Sequence, residues 1–356
     1  MAIHNRIREE IRELREYRVE EISARILLNT NENPYEIPQE IHEKVMETVA
    51  RLPLNRYPHP TSRALREVIS SRFNIKADQI VVGNGSDELI QMIAIAFGGA
   101  QGSVLIHPPT FGIYTVSAKS IGQRVIEVPL LPDWEIDLDG MLDKIREFQP
   151  NVIFITYPNN PTANCFPLES LEAILQAAEG VVVIDEAYAD FSRKSCLHLF
   201  NRYEHLIIMR TLSKIGLAGL RVGFLFANNV LITYLNKVKP PFNLNSLSEA
   251  IAMIVLEHRD LIEPQIEKII VERRHLIEGL AQIPGIEPFP SETNFVLFHV
   301  AWGAGEAYEG LLKQGIRIRR LNTNGMEEYL RVSVGKPEEN IEFLATLAEI
   351  AKEVGQ

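Results

Sequence analysis

The stretch NVIFITYPNNPT (residues 151–162) joins an unbroken run of apolar, mostly β-branched residues to a loop rich in asparagine and proline. Apolar runs are likewise followed by polar residues in VVVIDEAY (181–188) and in HLIIMRTLSK (205–214). Short strands that are apolar on both faces are typical of a sheet covered by helices on each side. These three stretches therefore predict a parallel sheet whose strands end in polar loops.

Four further apolar runs extend this pattern along the chain. They are IVV (80–82), SVLIH (103–107), RVIEV (124–128) and VGFLF (222–226). Between them, apolar residues recur at helical spacing, as in Leu89, Ile90, Ile93, Ala94 and Phe97. The predicted fold class is therefore α/β, with a large unit in which helices cover both faces of a mostly parallel sheet.

A second, smaller α/β unit is predicted after the dipeptide Pro240-Pro241, which interrupts the pattern. One long helix is expected from about Ser246 to Leu280. After it, NFVLF (294–298), IRI (316–318) and YLRVSV (329–334) alternate with helices.

At the start of the chain, Ile3, Ile7, Ile11 and Leu14 recur at helical spacing and predict an amphipathic arm that lies on another surface. The expected division is an N-terminal arm at 1–35 that packs on the small unit, a large unit at 36–240 and a small unit at 241–356.

Composition narrows the classes of function. The chain has 36 Lys and Arg against 47 Asp and Glu, a net charge of −11, which argues against nucleic acid or an anionic membrane as the main partner. Cys165 and Cys196 lack metal-site spacing, so we expect neither a disulfide scaffold nor a metal site. Polar residues and glycines interrupt the longest uncharged run, Leu89 to Ile106, and the N-terminus lacks a signal region. A soluble, cytoplasmic protein is expected.

The loop GNGSDE (83–88) follows one strand and precedes a helix. The dinucleotide-binding fingerprint needs a small residue where Glu88 stands, and no Walker A lysine follows. One interpretation is a flexible turn that directs backbone N–H groups and a helix N-terminus at an anion. The other is a plain helix cap at Ser86. The loop alone does not decide between them.

Lys214 and Asp185 are the chemically notable residues of two other loops. Lys214 comes soon after an apolar strand, where an amine near other cations has a lowered pKa and can form a Schiff base. Asp185 directly ends a strand, where a carboxylate can pair with a buried cation. The alternatives are a surface lysine and a helix cap.

Together, these motifs resemble the fold type I aminotransferases that use pyridoxal phosphate, and among them the histidinol-phosphate aminotransferase family. The resemblance covers nearly the whole chain and depends on the shared order and spacing of many motifs. They are LNTNENPY (28–35), RYP (56–58), GNGSDE (83–88), PTFGIY (109–114), NNPT (159–162), DEAYADF (185–191), TLSKIGLAGLRVGF (211–224) and LRVSVG (330–335).

The resemblance implies a role for each cofactor-binding residue. Lys214 would hold pyridoxal phosphate as a Schiff base and move the proton during the reaction. Asp185 would pair with the ring nitrogen, Asn160 and Tyr188 would hydrogen-bond the phenolic oxygen, and Phe111 would stack on the ring. The residues expected at the phosphate are Gly85, Ser86, Asp87, Ser213 and Arg221, together with Tyr57 of the other subunit.

The resemblance also implies substrates and a partner. Arg331 would bind the carboxylate of glutamate and the phosphate of histidinol phosphate in turn, because a guanidinium pairs with either oxyanion. Arg319 and Tyr17 would assist, and Asn33 is a further substrate-binding candidate. The expected protein is a homodimer with active sites at its interface. It would transfer an amino group between histidinol phosphate and 2-oxoglutarate or glutamate, in histidine biosynthesis.

Two alternatives use the same scaffold and cofactor, namely a threonine-phosphate decarboxylase and an aromatic-amino-acid aminotransferase. A third is a non-enzymatic sensing domain, which the presence of both Lys214 and Asp185 disfavours. One departure bears on the substrate, because Phe242 stands where many relatives have a tyrosine that reaches across the dimer.

Overall fold

The computed structural model describes residues 3–14, 23–321 and 325–354. The strands are β1 (Ile26–Leu27), β2 (Ile80–Asn84), β3 (Ser103–Ile106), β4 (Arg124–Glu127), β5 (Val152–Thr156), β6 (Val181–Asp185), β7 (Leu206–Thr211), β8 (Val222–Phe226), β9 (Ile286–Pro288), β10 (Phe295–Val300), β11 (Ile316–Arg317), β12 (Arg319–Arg320) and β13 (Tyr329–Ser333).

The helices are α1 (Glu9–Glu13), α2 (Gln39–Val49), α3 (Arg63–Phe73), α4 (Ser86–Ile93), α5 (Ile113–Ser120), α6 (Leu138–Phe148), α7 (Leu168–Ala177), α8 (Ala189–Ser192), α9 (Asn229–Val238), α10 (Ser246–Glu257), α11 (Arg259–Ala281), α12 (Ala304–Lys313) and α13 (Pro337–Val354). None of the helices in the described ranges combines the length and the apolar character needed to cross a bilayer.

The large unit is built on a seven-stranded sheet in the order β2-β8-β7-β6-β5-β3-β4. All strands run parallel except β8, which is antiparallel to both of its neighbours. Every residue of β6 is buried, and its alternate side chains join two separate cores: Val182 and Ile184 on one face, Val181 and Val183 on the other. The predicted α/β class, with helices on both faces of a mostly parallel sheet, is confirmed.

The small unit contains a four-stranded antiparallel sheet in the order β12-β13-β10-β9. The single helix expected from Ser246 to Leu280 is two helices, α10 and α11, because the chain leaves helical geometry at His258 (φ −111°, ψ 36°). Helix α10 packs on α2 and α3 of the large unit. We therefore propose that the units divide at the turn between α10 and α11, one helix later than the expected boundary at 240.

The N-terminal arm has two described parts with different neighbours. β1 pairs in parallel with β11 of the small unit. By contrast, α1 contacts α5 of the large unit, and Arg8 donates to the carbonyl of Ser120. Ile3 and Ile7 of the expected apolar stripe are exposed, because a short 3-10 turn and α1 replace a continuous helix. The arm thus contacts the small unit through β1 and the large unit through α1.

Candidate active site

The polar loops meet at one edge of the seven-stranded sheet. Strands β2, β5, β6 and β7 run parallel, so their carboxyl ends, at Asn84, Thr156, Asp185 and Thr211, lie along this edge. Strand β8 runs the other way and begins there, directly after Arg221. Ligands of open α/β sheets bind outside the carboxyl ends of parallel strands. This edge is therefore the candidate site.

Asp185 ends β6 and is only 2% exposed. Its Oδ2 accepts a hydrogen bond from the Tyr114 hydroxyl at 2.7 Å, and its Oδ1 accepts one from the backbone N–H of Ala187 at 3.1 Å. Burial raises the pKa of Asp185 from 3.8 to about 6, although both hydrogen bonds oppose this change. In the described part of the chain, no lysine, arginine or histidine side chain pairs with it. A buried carboxylate of this kind suits a cationic partner.

Tyr114 is a site residue that the sequence analysis did not single out. It is fully buried on α5 and stacks on Phe154, with ring centres 4.5 Å apart. Its hydroxyl also lies 2.9 Å from Thr156 Oγ1. Burial, followed by the nearby Asp185, raises the pKa of Tyr114 well above its usual value, so the hydroxyl keeps its proton. The available signal was its spacing, one helical turn after Phe111 in the PTFGIY motif.

Lys214 lies just beyond β7 and is half-buried. Its Nζ donates to the carbonyl of Thr30 at 3.1 Å and lies 5.9 Å from the centre of the Tyr188 ring. Burial, and next the charge of Arg331, lower the pKa of Lys214 from 10.5 to about 8, against the opposing charge of Glu32. A larger share of neutral amine favours nucleophilic attack on a carbonyl group.

Tyr188 is buried, and its hydroxyl accepts a hydrogen bond from Asn31 Nδ2 at 3.0 Å. Burial raises the pKa of Tyr188. Asn31, which has a positive φ of 57°, is also held by Ser333, whose Oγ accepts from its backbone N–H at 2.9 Å, and by Asn294, whose Nδ2 donates to its carbonyl at 2.9 Å. Asn31 lies within the LNTNENPY motif but was not predicted as a site residue. It connects Tyr188 to the sheet of the small unit.

Arg331 is buried on β13 and faces the candidate site from the small unit. Its guanidinium donates to Asn160 Oδ1 and to the carbonyl of Asn29 at 3.0 Å, and it lies 5.0 Å from the centre of the Phe295 ring. Arg319 lies directly opposite in the antiparallel pair of β12 and β13, so both side chains leave the same face of the sheet. Two guanidinium groups so placed suit an oxyanion.

A second cationic position lies at the start of α4. Arg221 Nη2 donates to Asp87 Oδ2 at 2.8 Å, and Arg221 Nη1 lies 3.5 Å from Ser213 Oγ. Gly85 precedes the helix with a positive φ of 82°, a conformation that residues with a side chain rarely adopt, so this position favours glycine. The first N–H groups of a helix, which here begins at Ser86, have no partner within it. These donors together can bind an anion.

Three other residues predicted to belong to the site are Phe111, Asn33 and Tyr17. Phe111 is half-buried and meets Tyr114 edge-on, with ring centres 5.6 Å apart. Asn33 Nδ2 donates to Gln265 Oε1 at 3.1 Å and lies beside Gly216, two residues after Lys214. Tyr17 lies outside the described residues, so its role stays a prediction.

Tyr57 lies on the surface of the single chain, with 82% of its area exposed. Its ring stacks on that of Phe242, with ring centres 4.7 Å apart and planes inclined at 21°. Phe242 itself has a positive φ of 55° and is 38% exposed. The two aromatic residues therefore form one exposed pair.

Similarity to known proteins identifies the family. The family described as aminotransferase class I and II matches residues 24–347, and the chain belongs to it. The chain is 39% identical to a histidinol-phosphate aminotransferase of Aquifex aeolicus over 349 residues, which cover 97% of this chain and 98% of that relative. Within the larger family, it belongs to the histidinol-phosphate aminotransferases.

Solved structures agree with the fold. The histidinol-phosphate aminotransferase from Clostridium acetobutylicum matches with a TM-score of 0.85 at 28% identity, covering 92% of this chain and 99% of that chain. The histidinol-phosphate aminotransferase from Sinorhizobium meliloti in complex with pyridoxal-5′-phosphate matches with a TM-score of 0.90 at 22% identity, covering 98% of each. At that identity, the second match supports the fold alone.

Proposed function

We propose that this chain is a pyridoxal-phosphate-dependent transaminase that moves an amino group between histidinol phosphate and 2-oxoglutarate or glutamate, in histidine biosynthesis. The observation that carries the proposal is that a lysine whose pKa is lowered to about 8 and a buried carboxylate both lie at the carboxyl ends of two neighbouring strands. The name of the relative that is 39% identical supports the substrate and the reaction.

The donor set fits this cofactor at three points. The carboxylate of Asp185 suits a protonated ring nitrogen, the amine of Lys214 suits an aldehyde, and the guanidinium of Arg221 with the start of α4 suits a phosphate. Gly85 places no side chain beside the Arg221 guanidinium, since a Cβ atom there would lie 2.6 Å from Arg221 Nη2. When bound, pyridoxal phosphate supplies an aldehyde that reacts with amines and a ring that withdraws electrons from the substrate.

Lys214 is proposed to hold the cofactor covalently and then to accept and return the substrate proton through Nζ. A pKa of about 8 suits this role, because an acid–base group works best when its pKa lies near the working pH. Asp185 keeps the ring nitrogen protonated. Tyr188, with Asn160 beside Arg331, is proposed to donate to the phenolic oxygen, and Phe111 to pack on the ring.

Arg331 is proposed to bind each substrate's anionic group in turn. The planar guanidinium can pair with a carboxylate or with a phosphate, so a single position serves glutamate and histidinol phosphate. Arg319 on the same face adds positive charge. Asn33, beside the loop of Lys214, and Tyr17 are proposed to line the substrate space.

The test is Lys214→Ala. We expect loss of detectable transamination and of the borohydride-reducible link to the cofactor, with the fold retained. Lys144→Ala removes an exposed lysine of α6 and is the matched control, with near wild-type activity expected. Near wild-type turnover by Lys214→Ala would refute the assignment. Wild-type rates on histidinol phosphate, phenylalanine and threonine phosphate, with carbon dioxide release measured, separate the proposal from the two alternatives on this scaffold.

We further propose a cytoplasmic homodimer in which Tyr57 reaches the phosphate site of the other subunit. The exposed pair of Tyr57 and Phe242 supports an interface on this surface, because large exposed aromatic side chains are enriched at interfaces. Wild-type protein is expected to sediment as a dimer. A monomer that retains full activity would refute this part of the proposal.

A further inference from the structure

A chain of hydrogen-bonded side chains runs from Asp185 to Asn159. Asp185 Oδ2 lies 2.7 Å from the Tyr114 hydroxyl, which lies 2.9 Å from Thr156 Oγ1. Thr156 Oγ1 lies 3.0 Å from Thr110 Oγ1, and that atom lies 3.1 Å from Asn159 Oδ1. Four contacts therefore link five side chains. We call the three central residues, Tyr114, Thr156 and Thr110, the hydroxyl row.

Both ends of this chain accept hydrogen bonds. Asn159 Nδ2 donates to the carbonyl of Pro109 at 3.0 Å and to Thr162 Oγ1 at 2.7 Å, which fixes the amide so that Oδ1 faces Thr110. At the other end, the ionised carboxylate of Asp185 has no proton to donate. Only the hydroxyl row supplies protons, and each hydroxyl supplies one.

The three hydroxyl protons are too few to form a hydrogen bond at each of the four contacts. When Asp185 is ionised, one contact in the chain brings two oxygens together with no proton between them. When Asp185 is protonated, it can donate to Tyr114, and each hydroxyl can then donate to the next as far as Asn159, so that every contact holds a proton. The complete row therefore favours the neutral acid. The direct hydrogen bond from Tyr114 favours the ionised form.

We propose that Tyr114 is a positioning residue for Asp185, and that Thr156 controls how readily this carboxylate ionises. The proposal rests on the proposed function in one respect, because it takes Asp185 as the partner of the cofactor's ring nitrogen. Tyr114 is held rigidly for this role by its stacking on Phe154 and by its complete burial.

Other groups also face Asp185. The charges of Asp87 on α4 and of Glu186, the next residue, both oppose its ionisation, and Tyr188 lies close enough to interact with it. Substitutions within the hydroxyl row leave these groups in place. A changed pKa of Asp185 in such variants therefore reports the hydrogen bonds and not the surrounding charges.

The test is the pH dependence of pyridoxal phosphate binding to the full-length chain, followed by absorbance. For the wild type, we expect the dissociation constant to change with a midpoint near pH 6, where Asp185 ionises. Tyr114→Phe removes the donor to the carboxylate, so it should raise this midpoint and weaken binding at neutral pH about tenfold. Thr156→Val removes the contact that holds no proton when Asp185 is ionised. It should therefore lower the midpoint of the pH dependence.

The opposite signs distinguish this role from loss of packing, which would move both variants in the same direction. Tyr203→Phe is the matched control, because its hydroxyl lies 3.5 Å from Glu172 and outside the row, and no change of midpoint is expected. In the Asp185→Asn background, neither substitution should alter the pH profile. Shifts of the same sign, or no shift in either variant, would overturn the proposal.

A second readout does not depend on the cofactor. In the cofactor-free chain, urea unfolding from about pH 4 to pH 7 should show a steeper loss of stability with rising pH for Tyr114→Phe and a shallower loss for Thr156→Val. If the wild type binds no pyridoxal phosphate, the proposed function fails, and these unfolding data alone decide the role of the hydroxyl row. If Tyr114→Phe does not fold, an unchanged or raised midpoint for Thr156→Val overturns the proposal.

Discussion

Asp185 and Glu186 are consecutive carboxylates at the end of β6, and the structure surrounds them in opposite ways. Glu186 accepts hydrogen bonds from Arg210 Nε at 2.9 Å, Arg210 Nη2 at 2.6 Å and Ser195 Oγ at 2.9 Å, and from the backbone N–H of Cys196. Asp185 receives one neutral hydroxyl and one backbone N–H. Both carboxylates are buried.

The difference separates a carboxylate that is neutralised within the fold from the one proposed to bind the cofactor. Arg210 neutralises the charge of Glu186, and this ion pair offsets the desolvation cost of burying the carboxylate. The charge of Asp185 has only neutral donors among the described residues, and burial therefore raises its pKa to about 6. A carboxylate in this condition gains most from a cationic ligand. Burial alone would not have distinguished the two residues.

Of the substitutions at these two carboxylates, Asp185→Asn should have the larger effect on activity. We expect transamination to fall by about three orders of magnitude, because the charge that is proposed to lie opposite the cofactor's ring nitrogen is lost. Stability of the cofactor-free chain should stay the same or rise, since a poorly compensated buried charge is removed. Steady-state rates and urea unfolding measure the two quantities. Full activity in this variant would contradict the role proposed for Asp185.

Glu186→Gln should have the opposite profile. The neutral amide leaves Arg210, whose side chain is only 13% exposed, without its counter-charge, so we expect the free energy of unfolding to fall by roughly 3 kcal/mol. Cofactor affinity at neutral pH should change little, because Glu186 is bonded to Arg210, Ser195 and Cys196 and not to the candidate site. Urea unfolding and a cofactor titration measure these effects. Loss of cofactor binding in a folded variant would contradict the assignment.

The pH dependence of stability should show a further contrast between the two carboxylates. The pKa of Asp185 is raised from 3.8 to about 6 on folding, so the folded chain binds its proton more tightly than the unfolded chain. Its contribution is therefore fully present below pH 3.8 and is lost as the pH rises through 6, by up to about 3 kcal/mol. Asp185→Asn should abolish this component in cofactor-free unfolding experiments. An unchanged pH profile would show that Asp185 is not the group responsible.

Much of the fold was predictable because it depends on local pattern. The runs at 152–155 and 181–184 are apolar on both faces, and the structure buries each in two cores. The break at His258 was not predictable, because the helical pattern continues across it. The N-terminal stripe was misleading, because helical spacing does not reveal which surface a segment contacts.

The site residues were predictable to different degrees. Lys214 and Asp185 could be singled out because a charged group just after an apolar strand is costly unless it is used. Their roles stay proposals until they are tested. Tyr114 and Asn31 could not be singled out, because their importance comes from the residues they contact, 71 and 157 positions away in the chain.

By itself, the sequence determined the α/β class, the strand ends that carry polar residues and the family resemblance, since each depends on residue type and spacing along the chain. Only the tertiary structure decided which of two adjacent carboxylates is neutralised within the fold. The physical reason is that a pKa depends on the groups that lie close in three dimensions. Arg210 on β7 lies beside Glu186, whereas Tyr114 on α5 lies beside Asp185.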